Sequence, residues 1–190
     1  MLINPIKGAM MKVIDTKING VKIIEPKVFE DVRGFFLETF NAQRYKKMLD
    51  IEHDFIQDNH SRSVKNVLRG LHLQTNNPQG KLVRVVHGEV LDVAVDIRKN
   101  SPTFGLWESV ILSESNKKQF WIAPGLAHGF VVLSDVADFE YKCTNYYDPA
   151  SEKCILWNDA DLNIEWLVSD PILSDKDMKG LTFKEYASQL

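Results

Sequence analysis

The sequence predicts an all-β fold, an antiparallel β-sandwich or jelly roll forming one domain over residues 1–190, with a few short peripheral helices. Three observations carry this. Strand-length alternations of apolar and polar residues recur along the chain, turn residues separate them, and no β–α–β rhythm of a parallel sheet is present. A chain of 190 residues suits one such unit, because sandwiches of this size bury a core that stands alone.

The elements follow in order. Val21–Lys27 and Gly34–Phe40 (GFFLETF) read as strands, and after Asn41 the residues Tyr45, Met48 and Leu49 share one face of a short helix. His53–Asn59 (HDFIQDN) is the next strand. In the strand around LRGLHL, alternation puts Leu68, Gly70 and His72 on one side and Arg69, Leu71 and Leu73 on the other, unless Gly70 bends it. Lys81–Arg98 forms a hairpin turning at His87-Gly88, with Leu91, Val93, Val95 and Ile97 on one face and Asp92, Asp96 and Arg98 on the other. Gly105–Ser113, Gln119–Ala123 and Gly129–Ser134 follow, then FEYKC, where Phe139, Tyr141 and Cys143 share a face opposite Glu140 and Lys142. Gly80, Ser101-Pro102 and Pro124-Gly125 mark turns, and Tyr146-Tyr147-Asp148-Pro149 reads as a strand running into one. Ser174-Asp175-Lys176-Asp177 fits a capping box opening a last helix.

Composition narrows the function. A formal charge of −3 argues against a nucleic-acid partner, so any anion site is local. Cys143 and Cys154 are too few for a disulfide framework, and no leader pattern opens the sequence, so a reducing cytoplasm is the expected location. No apolar run reaches the ~20 residues of a membrane span, and Met1–Met11 is interrupted by Asn4, Pro5, Lys7 and Gly8.

The stretch Asn59–Gln74 (NHSRSVKNVLRGLHLQ) carries the clearest chemical signal. It sets Asn59, His60, Arg62, Arg69 and His72 around a short apolar strand. Arginine's planar fork suits phosphate or carboxylate, and histidine's proton affinity lies near working pH, so the segment reads as an anion site beside a base. The bland alternative for His72 is a hydrogen-bonded histidine in a sheet wall. Tyr141 is equally readable as core, Asp177 as a helix cap, and Lys81 as a solvated residue at a strand start.

His128 lies in APGLAHGF, a Pro-Gly turn followed by histidine, which resembles the second motif of the cupins. The first cupin motif offers two histidines one residue apart, whereas here Leu73 and Gln74 follow His72. A metal centre needs three or four converging ligands, so the expectation is a metal-free cupin-type jelly roll.

Taken together, DVRGFFLETF, FIQDNHSRSVKNVLRGLH, QGKLVRVVHGEVLDVAVDIRKNSPTFG, WIAPGLAHGF, YKCTNYYDPASE, ILWND and LSDKD resemble the dTDP-4-dehydrorhamnose 3,5-epimerase (RmlC) family of cupin-fold sugar-nucleotide enzymes. The resemblance runs from about Val13 to Asp177 with the motifs in family order. It implies a homodimer acting without cofactor on dTDP-4-dehydro-6-deoxy-D-glucose. By that resemblance His72 is the base, Asp177 orients its ring, Tyr141 is the acid on the opposite face and Lys81 supports the enolate oxygen. Arg33, Glu38, Gln57, Asn59, Arg69, His128, Glu152 and Lys176 would contact the nucleotide sugar, and Tyr147 would stack on thymine. Departures are about ten extra N-terminal residues, Pro78 before the Gln79-Gly80-Lys81 turn, and Cys143 near Tyr141. Competing readings are an epimerase of C3 or C5 alone, a silent nucleotide-sugar-binding cupin, and, third, a metal-dependent cupin enzyme. The joint presence of His72, Tyr141 and Asp177 weighs against a mere binder, which needs no proton-transfer pair.

Overall fold

In the computed structural model, which describes residues 11–190, strands dominate. They are β1 (Lys12–Asp15), β2 (Val21–Glu25), β3 (Val28–Asp31), β4 (Gly34–Leu37), β5 (Gln57–Val64), β6 (Leu68–Gln74), β7 (Lys81–His87), β8 (Glu89–Asp96), β9 (Trp107–Ser113), β10 (Gln119–Ile122), β11 (Leu126–Val132), β12 (Val136–Cys143) and β13 (Glu152–Cys154). Helices α1 (Ala42–Leu49), α2 (Asp175–Met178) and α3 (Phe183–Ser188) are peripheral. The expected jelly roll is present: a six-stranded sheet ordered β1-β2-β10-β7-β12-β5, a five-stranded sheet ordered β13-β6-β11-β8-β9, and a separate β3–β4 hairpin. The pairings between these strands are antiparallel.

Three apolar clusters fix the layers. Val83, Val85, Phe120 and Phe139 from one sheet meet Val90, Ala94, Leu112 and Phe130 from the other in the central core. The outer face of the five-stranded sheet, including Leu68, Leu71, Leu91, Val93 and Val95, is covered by Ile155, Leu162, Trp166 and Tyr186 of the C-terminal segment. On the other side Leu82, Trp121 and Ile24 pack against Tyr45 and Leu49 of α1. Asn41 opens that helix by accepting from the Arg44 amide at 3.1 Å, and Asp50 closes it with a left-handed φ of 56°.

Several boundaries depart from the sequence reading. The strand expected over His53–Asn59 starts only at Gln57 and continues to Val64, because β5 takes its register from β12, from Gln57↔Cys143 to Val64↔Val136. Its polar stretch Asp58–Ser63 shows no apolar alternation because β5 is a sheet edge. β11 starts at Leu126 rather than Gly129, paired with Asp96, so His128 belongs to a strand and not to the preceding turn. GFFLETF stops being strand at Leu37 and pairs with β3, which alternation had not singled out. β8 is buried on both faces, so Asp92 and Asp96 are interior despite their polarity. Among the described residues no helix is long and apolar enough to cross a membrane. Residues 1–10, which include most of the interrupted Met1–Met11 segment, lie outside the described residues.

Candidate active site

The alternation of β6 breaks where Gly70 allowed it to. In the β6–β11 ladder, His72 pairs with His128 and Arg69 with Phe130, so three steps along β6 match two along β11. Gly70 has φ 135°, and a Cβ there would lie 2.5 Å from the Cα of Gly129, so neither a side chain nor ordinary strand geometry fits. The bulge corrects the face assignment: Leu68 and Leu71 both enter the outer cluster, while Arg69 and His72 both line the inner cavity.

That cavity, about 200 Å³, is lined by Ser61, Arg69, His72, Lys81, His128 and Tyr141 over a floor of Phe130 and Phe139. An adjoining space of about 90 Å³ shares His72, Lys81 and Tyr141 and extends to Gln74, Gln79, Tyr147 and Glu152. The two sheets contribute from opposite sides, His72 and His128 from the five-stranded sheet, Lys81 and Tyr141 from the six-stranded one. Roomier hollows lie along the hairpin (about 650 Å³) and on the outer face near Thr39 and Arg84 (about 280 Å³). The hairpin hollow holds no histidine, and the one near Thr39, although His60, Tyr141 and Lys142 line it, takes no side chain from the five-stranded sheet, so the inner cavity is where groups from the two sheets face each other.

His72 and Asp177, 105 residues apart, meet: Nε2 lies 2.6 Å from Oδ1. The other carboxylate oxygen accepts from the Ser174 hydroxyl at 2.6 Å, and the Gly70 amide donates to Oδ1 at 3.3 Å. Burial works to raise the Asp177 pKa, yet the bonds from His72 and Ser174, the His72 charge and the Gly70 amide together bring it down to about 2. Asp177 therefore serves both roles weighed above, with a correction. Ser174 caps α2 by accepting from the Asp177 amide at 3.2 Å, but the carboxylate answers the Ser174 hydroxyl rather than its backbone amide, so the box is only half formed. The full capping box belongs to Thr182 and Glu185 of α3, which the sequence reading merged into one last helix.

Opposite, Tyr141 packs on Phe139 with ring centroids 5.9 Å apart. Burial raises its pKa, which keeps the phenol protonated at neutral pH. Burial lowers the Lys81 pKa, opposed in part by the carboxylates of Asp92 and Glu152. Deeper in, His128 Nε2 faces both Asp92 oxygens at 3.0 Å. Burial drives the His128 pKa down and the Asp92 pKa up, their mutual attraction opposing both shifts. Sequence reasoning missed Asp92; a lone acid among Leu91, Val93 and Val95 on a strand buried on both faces was the available signal.

The remaining candidates divide. Glu152 accepts from the Tyr147 hydroxyl at 2.7 Å and pairs with Lys176, forming a polar rim beside His72. Gln57 ties this rim to β5 by accepting from the Tyr147 amide at 2.9 Å while donating to Asn59 at 3.1 Å. Arg69 donates to Ser63 at 3.2 Å at the cavity wall. Arg33 and Glu38 are elsewhere: Arg33 is exposed on the β3–β4 turn, paired with Asp31, and Glu38 pairs with Arg44 of α1.

Comparison with known proteins identifies the family. The profile of the family described as dTDP-4-dehydrorhamnose 3,5-epimerase matches residues 15–185. A protein of that name from Shigella flexneri is 58% identical over 174 residues, covering 91% of this chain and 96% of its own. One from Salmonella typhimurium is 60% identical over 170 residues, covering 88% and 93%. The crystal structure of dTDP-6-deoxy-D-glucose-3,5-epimerase RmlC from Legionella pneumophila in complex with dTDP-4-keto-L-rhamnose superposes with a TM-score of 0.90 at 56% identity, covering 92% and 94%. The chain thus belongs to the dTDP-4-dehydrorhamnose 3,5-epimerase family of isomerases.

Proposed function

We propose that this protein inverts C3 and C5 of dTDP-4-dehydro-6-deoxy-D-glucose to give dTDP-4-dehydro-L-rhamnose, a step toward dTDP-L-rhamnose, in the cytoplasm and without metal or cofactor. The C4 ketone makes the hydrogens on C3 and C5 removable as protons, so the reaction needs a base on one face of the sugar, an acid on the other, and a cation for the enolate oxygen. One observation carries the reading: a histidine oriented by a buried carboxylate stands on one sheet, across a cavity from a tyrosine and a lysine on the other.

In this mechanism His72 takes the proton. With Nε2 engaged by Asp177, the second ring nitrogen is the acceptor, and the anionic Asp177 stabilises the imidazolium that results. Lys81 faces the enolate oxygen, and Tyr141 delivers a proton from the opposite side. Arg69, with His128, Gln57, Asn59, Glu152 and Lys176, holds the nucleotide sugar, and Tyr147, half-exposed at the rim, stacks on the thymine.

Arg33 and Glu38 enter this scheme through a homodimer. Among the described residues the β3–β4 hairpin pairs with no other strand, and Val32, Phe35 and Phe36 on it are exposed, an apolar surface that a second copy would cover. In such a dimer the hairpin is the element able to carry Arg33 toward the neighbouring cavity.

The decisive experiment incubates the enzyme with the substrate in deuterated water and follows C3 and C5 by NMR. Exchange at both carbons is expected, with His72→Asn slowing it by roughly 10²–10⁴-fold. Exchange at one carbon would instead indicate a single-centre epimerase, and bound substrate with no exchange would refute the catalytic reading.

A further inference from the structure

Cys154 stands directly opposite His72 in the β13–β6 pairing and takes no part in the proton transfers above. Its thiol is almost buried, 3.6 Å from the Ile155 carbonyl, 3.7 Å from the Gly70 carbonyl and 3.9 Å from Asp177 Oδ1, all long contacts even for a sulfur hydrogen bond. The sulfur is therefore weakly held. A ring nitrogen of His72, the Cys154 sulfur and an Asp177 oxygen all lie within 4.8 Å of one another, the one such grouping of three metal-ligating side chains among the described residues.

We propose that His72, Cys154 and Asp177 form an inhibitory binding site for a thiophilic d¹⁰ divalent cation such as Zn²⁺ or Cd²⁺. Thiolate, imidazole and carboxylate are the donors such ions select, and three protein ligands leave the fourth tetrahedral position open to the cavity. Bond lengths of ~2.0–2.3 Å put the ligand atoms of a tetrahedral zinc site about 3.4–3.6 Å apart. The sulfur–carboxylate separation of 3.9 Å needs to close by only a few tenths of an ångström, and the 2.6 Å His72–Asp177 contact opens as the partly exposed imidazole swings into the cavity. On binding, the S–H bond breaks, a sulfur–metal bond forms and the proton leaves to solvent. The dication is then neutralised by one thiolate and one carboxylate.

Inhibition follows from the ring's electron count. A neutral imidazole has one basic lone pair, and a metal that takes it leaves none for the C–H proton. The inhibition readout rests on His72 being the base; the binding readout does not.

The experiment uses chelator-treated enzyme in a thiol-free buffer. One equivalent of Cd²⁺ is expected to produce a thiolate-to-metal charge-transfer band in the ultraviolet. Zn²⁺ is expected to stop solvent deuterium exchange into the substrate, with EDTA restoring it. Cys154→Ser should abolish the band and raise the Zn²⁺ concentration for half-inhibition at least tenfold, whereas Cys143→Ser should leave both unchanged. If Cys154→Ser does not fold, the Cys143→Ser protein decides alone, because Cys154 is then its single thiol. No band in that protein, a band surviving Cys154→Ser, or equal Zn²⁺ inhibition of wild type and Cys154→Ser overturns the proposal. Absence of exchange before any metal is added would count against the epimerase reading instead, leaving the cadmium band to judge the site.

Discussion

Asp177 is the residue on which most of the site's electrostatics converge. Its folded pKa of about 2 lies below the ordinary aspartate value of 3.8, so the stability it contributes is present above about pH 4 and is lost as the pH falls toward 2. Asp177→Asn should therefore flatten the acid limb of a pH–stability curve in that window, and should also slow deuterium exchange by roughly 10²–10⁴-fold, since the ring loses its orienting charge. An unchanged acid limb, measured by denaturant titration at several pH values, would contradict this account. Ser174→Ala removes both the α2 cap and a donor to Asp177. It is expected to cost about 0.5–2 kcal/mol and to move the acid-sensitive window upward, with Ser174→Thr restoring both. The sequence exposed these groups unevenly. His72 was legible because histidines and arginines cluster in Asn59–Gln74, whereas Asp92 showed locally only as an acid among apolar neighbours, its partner His128 lying on another strand.

At the level of elements, the Gly70 bulge decides which side chains share the cavity. Gly70→Ala would drive a Cβ to 2.9 Å from the His128 carbonyl as well as into Gly129, and would do so at positive φ. The expected result is a loss of about 1–3 kcal/mol in unfolding experiments, together with lower kcat/KM as His72 and His128 shift. A fully active, equally stable variant would show that the bulge does not hold the two histidines. By contrast Thr182→Ala, which breaks the α3 capping box, should lower Tm by an amount equivalent to about 0.5–2 kcal/mol while leaving kcat unaltered. Pattern reading found the strands that combine apolar alternation with turns, such as β7, β8 and β10. It misjudged β5 because an edge strand with one face toward a polar cavity needs no apolar residues there. It anticipated a bend at Gly70, but not the close approach to Gly129, fifty-nine positions away in the chain.

Across the whole molecule, two sheets share one core, and catalytic candidates come from both. Unfolding followed by tryptophan fluorescence and by loss of exchange activity should then coincide in a single transition over residues 11–190, as expected of one domain; two separated transitions would divide it. The proposed dimer has its own test. A Phe35→Ser, Phe36→Ser double variant should fall to monomer mass in light scattering and lose substrate affinity more than turnover, whereas an unchanged mass would remove the hairpin from the interface. The overall architecture was legible in strand rhythm alone, but the function came through ordered motifs spread from β4 to α2, since no single one of them names a reaction.

The placement of Asp177 also gives the protein a history in time. Among the described residues the last strand ends at Cys154, yet the carboxylate that binds His72 comes twenty-three residues later, within the segment that covers the five-stranded sheet. A ribosome making this chain from its N-terminus releases the described strands before it releases the carboxylate that binds His72. A nascent chain can therefore assemble its sheets around His72 before Asp177 emerges, and under the proposed mechanism competence for proton transfer follows the sheets rather than accompanying them.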